Sequence, residues 1–458
     1  MLTAAVGPPA GPLLSLPVLL AGLLVWLMLA GLVIRLRHRR CWLLPEFAAL
    51  SGLLLAQLLF FWRPLLTSAQ VPNGGGDLVS FYFPLQAFAA AQLQQGHFPL
   101  WNPYLHSGMP QFANFQTAML YPPNLVAWLL VRPFSYRALE LLVIAHYLVA
   151  SVGMYALART LGQRRLPAML AGIVFAYSGF LVAHLGHETM LATATWLPWL
   201  LLALRKLALS RSWLWAFVTG CLVFLATTAG HQQTLLFMLS LGGLWWLYWF
   251  GEREQFWSGG LERDWEQSLR AIWRPFVSSA LRAVAALGFG LLLAAPVVVP
   301  SLQLSRLSVR TQLSYEESTQ FSAEPIALLH FILPKAFGSN PTDYWGAFSN
   351  GEVWGYAGVV TLVLAALALA LRPTRTRLFL SGVVLLALLY ALGPFTPLQG
   401  WVYRFVPLYD LVRAPGRACL FADFGLALLA GFGAHELSRR KDLDPRRRAV
   451  LRPALRVL

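Results

Sequence analysis

The chain of 458 residues is 58% hydrophobic and only 12% charged, about half the roughly 25% charged share of soluble domains. A water-soluble globular surface cannot be built from that composition. The formal net charge of +16 invites a nucleic-acid partner, but its distribution along the chain follows membrane topology and argues for none.

In chain order, apolar runs of roughly 17 to 24 residues match the length that crosses about 30 Å of hydrocarbon at 1.5 Å per residue. They predict about eleven transmembrane helices, over 13–34, 43–62, 138–157, 166–183, 190–204, 213–229, 232–250, 279–300, 356–371, 378–393 and 418–434. The first run is followed, not preceded, by Arg35, Arg37, Arg39 and Arg40. A cleavable signal carries its charges in front, so this run stays, with the amino terminus outside. The cytoplasmic segments are then 35–42, 158–165, 205–212, 251–278, 372–377 and 435–458, which hold 25 of the 35 Lys and Arg. That asymmetry is what the positive-inside rule requires.

The predicted architecture is an all-α polytopic membrane protein in four parts. Residues 1–62 hold two helices; 63–137 form a long first extracytoplasmic loop containing an interfacial helix. Residues 138–434 form a nine-helix core with outer loops 301–355 and 394–417, and 435–458 a basic cytoplasmic tail facing anionic lipid. Within the first loop, 78–95 is an uncharged apolar stretch suited to the interface. The run 121–131 is too short to span, and counting it would reverse the charge asymmetry of every later loop, so it reads as re-entrant or interfacial. Cys41, Cys221 and Cys419 show no CxxC spacing and no extracytoplasmic pair, which predicts neither a disulfide nor a metal-thiolate site.

The segments Gly76-Asp77-Leu78-Val79-Ser80-Phe81-Tyr82-Phe83-Pro84, Phe98-Pro99-Leu100-Trp101-Asn102-Pro103-Tyr104 and Ser107-Gly108-Met109-Pro110 carry a resemblance. It continues through Tyr121 to Asn124, His184 to Glu188, Trp196 to Trp199, Gly230-His231-Gln232 and Arg413-Ala414-Pro415-Gly416-Arg417. The chain resembles the YfhO-like bacterial membrane proteins, assigned to the GT-C class of membrane glycosyltransferases. The resemblance implies a GT-C-like fold in the bacterial plasma (inner) membrane. It also implies transfer of a sugar from a polyprenyl-phosphate-linked donor to an envelope glycan or lipid acceptor outside. Members of that family are longer, so the basic segment 435–458 is either the tail of this chain or the point where a longer one is cut.

In the GT-C pattern an essential carboxylate precedes an interfacial helix in the first large outer loop, the position of Asp77. A base or metal-bound carboxylate there takes the proton from an attacking hydroxyl. The competing reading is that Asp77 only caps the helix beginning near Leu78. Arg413 and Arg417, with Lys335 as a weaker candidate, are expected to hold the donor phosphate; the alternative is headgroup anchoring. Asp77, Arg413 and Arg417 should therefore converge on an outward cavity. Trp101, Asn102, Tyr104, His184, His187, Glu188, His231 and Gln232 are candidate substrate contacts. The aromatics read equally as an interfacial belt, and the Asn residues as turn formers. Some GT-C enzymes use a divalent cation, Mg or Mn, and Asp77 and Glu188 are the candidate ligands. Two other classes stand beside the enzyme: a lipid or sugar flippase or transporter, and a noncatalytic scaffold for envelope assembly.

Overall fold

The computed structural model describes residues 12–36, 42–72, 75–254, 265–307, 313–338, 343–346 and 351–439, the side chains of 265–272 excepted. Arg37, Arg39, Arg40, Cys41 and the basic tail from 440 onward lie outside the described residues. The helices are α1 (Leu16–Leu36), α2 (Leu43–Phe60), α3 (Trp62–Leu66), α4 (Phe83–Gln94), α5 (Pro122–Leu130), α6 (Tyr136–Thr160), α7 (Arg165–Ala176), α8 (Gly179–Ala183) and α9 (Glu188–Thr195). They continue as α10 (Leu197–Ser210), α11 (Trp213–Thr228), α12 (Gln232–Arg253), α13 (Trp265–Arg306), α14 (Tyr315–Ser318), α15 (Val359–Leu371), α16 (Arg375–Ala391), α17 (Pro397–Phe405) and α18 (Cys419–Ser438). The strands among the described residues are β1 (Trp101–Asn102) and β2 (Met109–Pro110), paired antiparallel.

Seven segments are long and apolar enough to cross a membrane: α1, α2, α6, Arg165–Ala183, α12, Trp273–Arg306 and Pro415–Ser438. Four of the eleven expected runs fall short of that measure. The run 190–204 is broken at Trp196, where α9 ends and α10 starts with Pro198 in its first turn. Helices α11 and α15 are apolar but have 16 and 13 residues, and 13 residues rise only about 20 Å. Helix α15 starts late because Gly358, at φ 91°, holds the chain outside the helical region. Helix α16 has 17 residues and opens on Arg375 and Arg377.

The chain divides into two compact units. One comprises Met1–Leu78, Leu139–His187 and Val309–Leu458; the other Val79–Ala138 and Glu188–Ser308. In the first unit α18 is the axis, packed against α7, α15 and α16. Lipid tails are as apolar as leucine, so helices associate through close backbone approach at small residues. Here a methyl on Gly433 would overlap the Leu364 carbonyl, and one on Gly431 would strike the Gln163 amide. By contrast α1 has no buried residue and meets α2 through Trp26, whose indole donates to Ser51 Oγ at 3.0 Å.

The polar groups of this unit gather at the helix ends. Glu46 at the start of α2 pairs with Arg159 at 3.2 Å and Arg165 at 2.9 Å. The Arg164 amide donates to His435 Nδ1 at 3.0 Å, and Arg377 meets Glu436 at 2.5 Å with both side chains 4% exposed. These residues flank or occupy 158–165, 372–377 and 435–458, segments with one predicted side. At the opposite ends of the same helices lie Glu140, which accepts from the Val71 amide at 2.7 Å, and Asp77, His184, Glu352 and Arg417, described below.

In the second unit α4 packs on α5. The Gln94 amide ties to the carbonyls of Trp128 and Val131 at the end of α5, at 2.6 and 2.8 Å. Helix α5 has nine residues, about 14 Å of rise, less than half a bilayer core. Helices α10 to α13 form the rest, with α11 and α13 closest where Gly220 faces Phe289 and Gly290.

The Arg377–Glu436 pair is buried, so removing one partner strands the other charge. Arg377→Met or Glu436→Leu alone should cost about 3–5 kcal/mol, read as a lower melting temperature of the purified protein, and the double variant should recover most of the loss.

Candidate functional site

Asp77 follows Gly75 and Gly76, which sit at φ 84° and 55°, a left-handed region that glycine enters without a Cβ penalty. The glycine run turns the chain into a π-helical turn, Leu78–Tyr82, and then α4. Such turns occur frequently at functional sites. The Asp77 side chain is 60% exposed, and its Oδ2 lies 3.4 Å from His187 Nε2. The other ring nitrogen, His187 Nδ1, is buried with no hydrogen-bond partner. Burial, the largest influence, lowers the His187 pKa from its ordinary 6.5, with His184 and Arg417 acting the same way and Glu352 and Asp77 opposing. The ring is therefore neutral at pH 7, and its Nε2 stands beside the Asp77 carboxylate as a polar contact.

His184 stands one turn earlier, its ring 5.3 Å from that of His187 and stacked on Phe180 at 4.1 Å. Its Nδ1 lies 2.8 Å from the Phe180 carbonyl and its Nε2 3.3 Å from Glu352 Oε2. Glu352 also accepts two bonds from Arg417, Nε to Oε2 and Nη2 to Oε1, each 2.7 Å. Burial by itself raises the Glu352 pKa, but the bonds and charges of Arg417 and His184 prevail and hold it well below the carboxylate range. The close seat of Arg417 depends on Gly416, where a methyl would press on Val353 and the Phe321 carbonyl.

Asp77 and His187 thus form one polar pair, and His184, Glu352 and Arg417 a bonded trio, the two histidine rings standing 5.3 Å apart. Asp77 and Arg417 were singled out in the sequence; Glu352, which joins Arg417 to His184, was not. The sequence offers little signal for Glu352, since loop 301–355 holds four other acidic residues, Glu316, Glu317, Glu324 and Asp343. Arg413 lies with its guanidinium 5.5 Å over the Phe321 ring, and Lys335 is exposed.

The remaining candidates belong to the second unit. Trp101 and Tyr104 are exposed, and Gln232 with them. Asn102 is buried and spends its amide on Gln111 Oε1 at 3.1 Å and on the Tyr104 amide at 3.0 Å. His231 caps α12, accepting at Nδ1 from the Thr234 amide at 3.2 Å. Asn102 and His231, candidate substrate contacts, also hold a loop and a helix end. Glu188 is 1% exposed; it accepts from Gln86, whose own Oε1 accepts from Trp128 at 3.2 Å. Burial pushes Glu188 up to about 7 against the pull of Gln86 and Asn124. Among the described residues no group of three or more His, Cys, Asp or Glu is arranged to hold a metal ion.

The lowered His187 pKa fixes a sign. A histidine kept neutral by the fold contributes stability that is full above about pH 6.5 and is lost as pH falls through that value toward the lowered folded one. Melting curves from pH 8 to pH 5 should fall more steeply for wild type than for His187→Gln.

No protein-family model, no curated protein and no solved structure matches this chain.

Proposed function

We propose that the protein is a membrane glycosyltransferase that moves a sugar from a polyprenyl-phosphate carrier to an acceptor of the bacterial cell envelope. The chain crosses the plasma membrane eleven times in this reading, the four shorter helical runs completing the seven long ones, with the amino terminus outside. What supports it is the resemblance carried by residues 76–110 and 413–417, together with one observation. Asp77 is an exposed carboxylate beside a neutral histidine at the head of a helix, Oδ2 3.4 Å from His187 Nε2.

The chemistry assigned to these groups balances simply. An acceptor hydroxyl attacks the anomeric carbon, its proton passes to the Asp77 carboxylate, and the bond from that carbon to the phosphate oxygen breaks. The bonding electrons leave with the polyprenyl phosphate. His187 stands beside Asp77, its Nε2 3.4 Å from Oδ2. Arg413 and Arg417 stabilise the departing phosphate. A phosphate offers the same pair of oxygens as a carboxylate to a guanidinium fork, so on Arg417 it replaces Glu352. The lipid carrier follows from sidedness, since nucleotide sugars are cytoplasmic and the site faces outward.

A second reading, a flippase or transporter, has one observation in its favour. Asp423 is fully buried within Pro415–Ser438, and one of its carboxylate oxygens has no hydrogen-bond partner. Ionisable groups inside a span commonly mark ion or substrate paths.

Transfer of radiolabelled sugar from a panel of polyprenyl-phosphate sugars to envelope extract separates the two. Wild type should transfer; Asp77→Asn should lose about 10²- to 10⁴-fold at unchanged melting temperature, and Asp423→Asn should keep transfer. Equal transfer by Asp77→Asn would remove Asp77 from catalysis. Lipid-sugar translocation in proteoliposomes without transfer, abolished by Asp423→Asn, would favour the flippase.

A further inference from the structure

A groove of about 420 Å³ in the second unit is lined by Trp213, Trp273, Arg274, Ser278, Leu281 and Arg282. We propose that it binds the phosphate headgroup of an anionic phospholipid of the inner leaflet. It shares no residue with the candidate site and holds whether or not the chain transfers sugar.

Arg274, Ser278 and Arg282 recur at i, i+4 and i+8 of α13, so they line one stripe of the helix. Arg282 Nη1 donates to the Ser278 carbonyl at 2.7 Å and to Ser278 Oγ at 2.5 Å, and its guanidinium lies 5.1 Å over the Trp213 ring. These contacts aim the fork but do not exhaust it: Arg282 Nε is buried with no hydrogen-bond partner. Among the described residues neither Arg274 nor Arg282 pairs with a carboxylate. Two guanidinium groups facing a concave surface with no acid among the described residues call for an anion, and the walls say which kind. Trp213, Trp273 and Leu281 are 61%, 65% and 61% exposed, apolar surface that a soluble ion leaves bare and a lipid's glycerol and first acyl carbons cover.

Position points the same way. Helices α10, α11 and α13 meet at Leu207, Ala216 and Ala286, one turn from Arg282. Arg211 and Glu254 pair beside the turn joining α10 to α11. This is the end of the unit formed by 205–212 and 251–278, the segments the positive-inside rule puts in the cytoplasm. Trp273–Arg306 contains 34 residues, about 51 Å of rise, so its first turns extend beyond the hydrocarbon into the headgroup layer. Tryptophan and arginine both settle at that depth, with apolar bodies in the tails and polar ends among the phosphates. A basic pocket between helices at the cytoplasmic leaflet is suited to anionic headgroups.

The test is native mass spectrometry of the delipidated full chain after exposure to phosphatidylglycerol or phosphatidylcholine vesicles. Wild type should retain phosphatidylglycerol selectively, and Arg274→Gln/Arg282→Gln should retain roughly tenfold less. Arg274 is exposed, so Arg274→Gln alone keeps the fold and should lower retention part of the way; it decides the matter if the double variant melts early. Equal retention of the two lipids by wild type, or undiminished phosphatidylglycerol on folded Arg274→Gln, would overturn the assignment. So would displacement of the lipid by millimolar inorganic phosphate, which would mark a free-ion site.

Discussion

Hydrocarbon offers a polar group no partner, and most of what is seen here follows from that. Every backbone amide within the apolar layer must be satisfied by its own chain, so the long runs are helices and the short β1–β2 ladder is confined to the loop between α4 and α5. The same constraint governs side chains. Charges cannot be spread along the helices, so they collect at helix ends and pair there. Glu46 gathers Arg159 and Arg165, Arg377 finds Glu436, and Glu352 takes Arg417 and His184. Each cluster ties together helices distant in sequence, so the groups that lipid expels also fix the packing.

Within the first unit this division has a geometric consequence. Helix α18 runs from Arg417 beside its first turn to Glu436 in its last, and each residue is locked by a partner at its own end. The middle is left to glycine and alanine, which let α7, α15 and α16 come close. Asp423 is the exception, a carboxylate inside that apolar stretch. The Phe180 amide donates to it at 3.4 Å, where the segment Arg165–Ala183 breaks between α7 and α8. A helix interruption exposes backbone donors, and a buried carboxylate beside it answers them.

How much of this could be read beforehand differs by the range of the interaction. Apolar length is a local property, so the positions of the seven long spans, the short α5 and the helix at 83–94 were visible in the sequence. Breaks within runs were less so: Trp196-Leu197-Pro198 and Gly358 interrupt stretches that stay apolar throughout, and hydropathy does not register a change of backbone angle. The site was legible only in part. Asp77 stands out because three glycines and an apolar helix frame it, and Arg417 because arginine is uncommon on the outer face. Glu352 has no local frame, and its role exists only once residues 184 and 417 are brought to it. Asn102 and His231 were singled out because their residue types suit sugar hydroxyls; in the fold they also bond Gln111, Tyr104 and Thr234, contacts that no local pattern announces.

The two carboxylates of the site end in contrasting surroundings. Glu352 is mostly enclosed, gripped by both arms of a guanidinium and by an imidazole, and held ionised far below neutral pH. Asp77 faces solvent beside a ring that burial keeps neutral. Glu352 is the shared acceptor of Arg417 and His184, whereas Asp77 presents an open face, and the rings of His184 and His187 stand between the two.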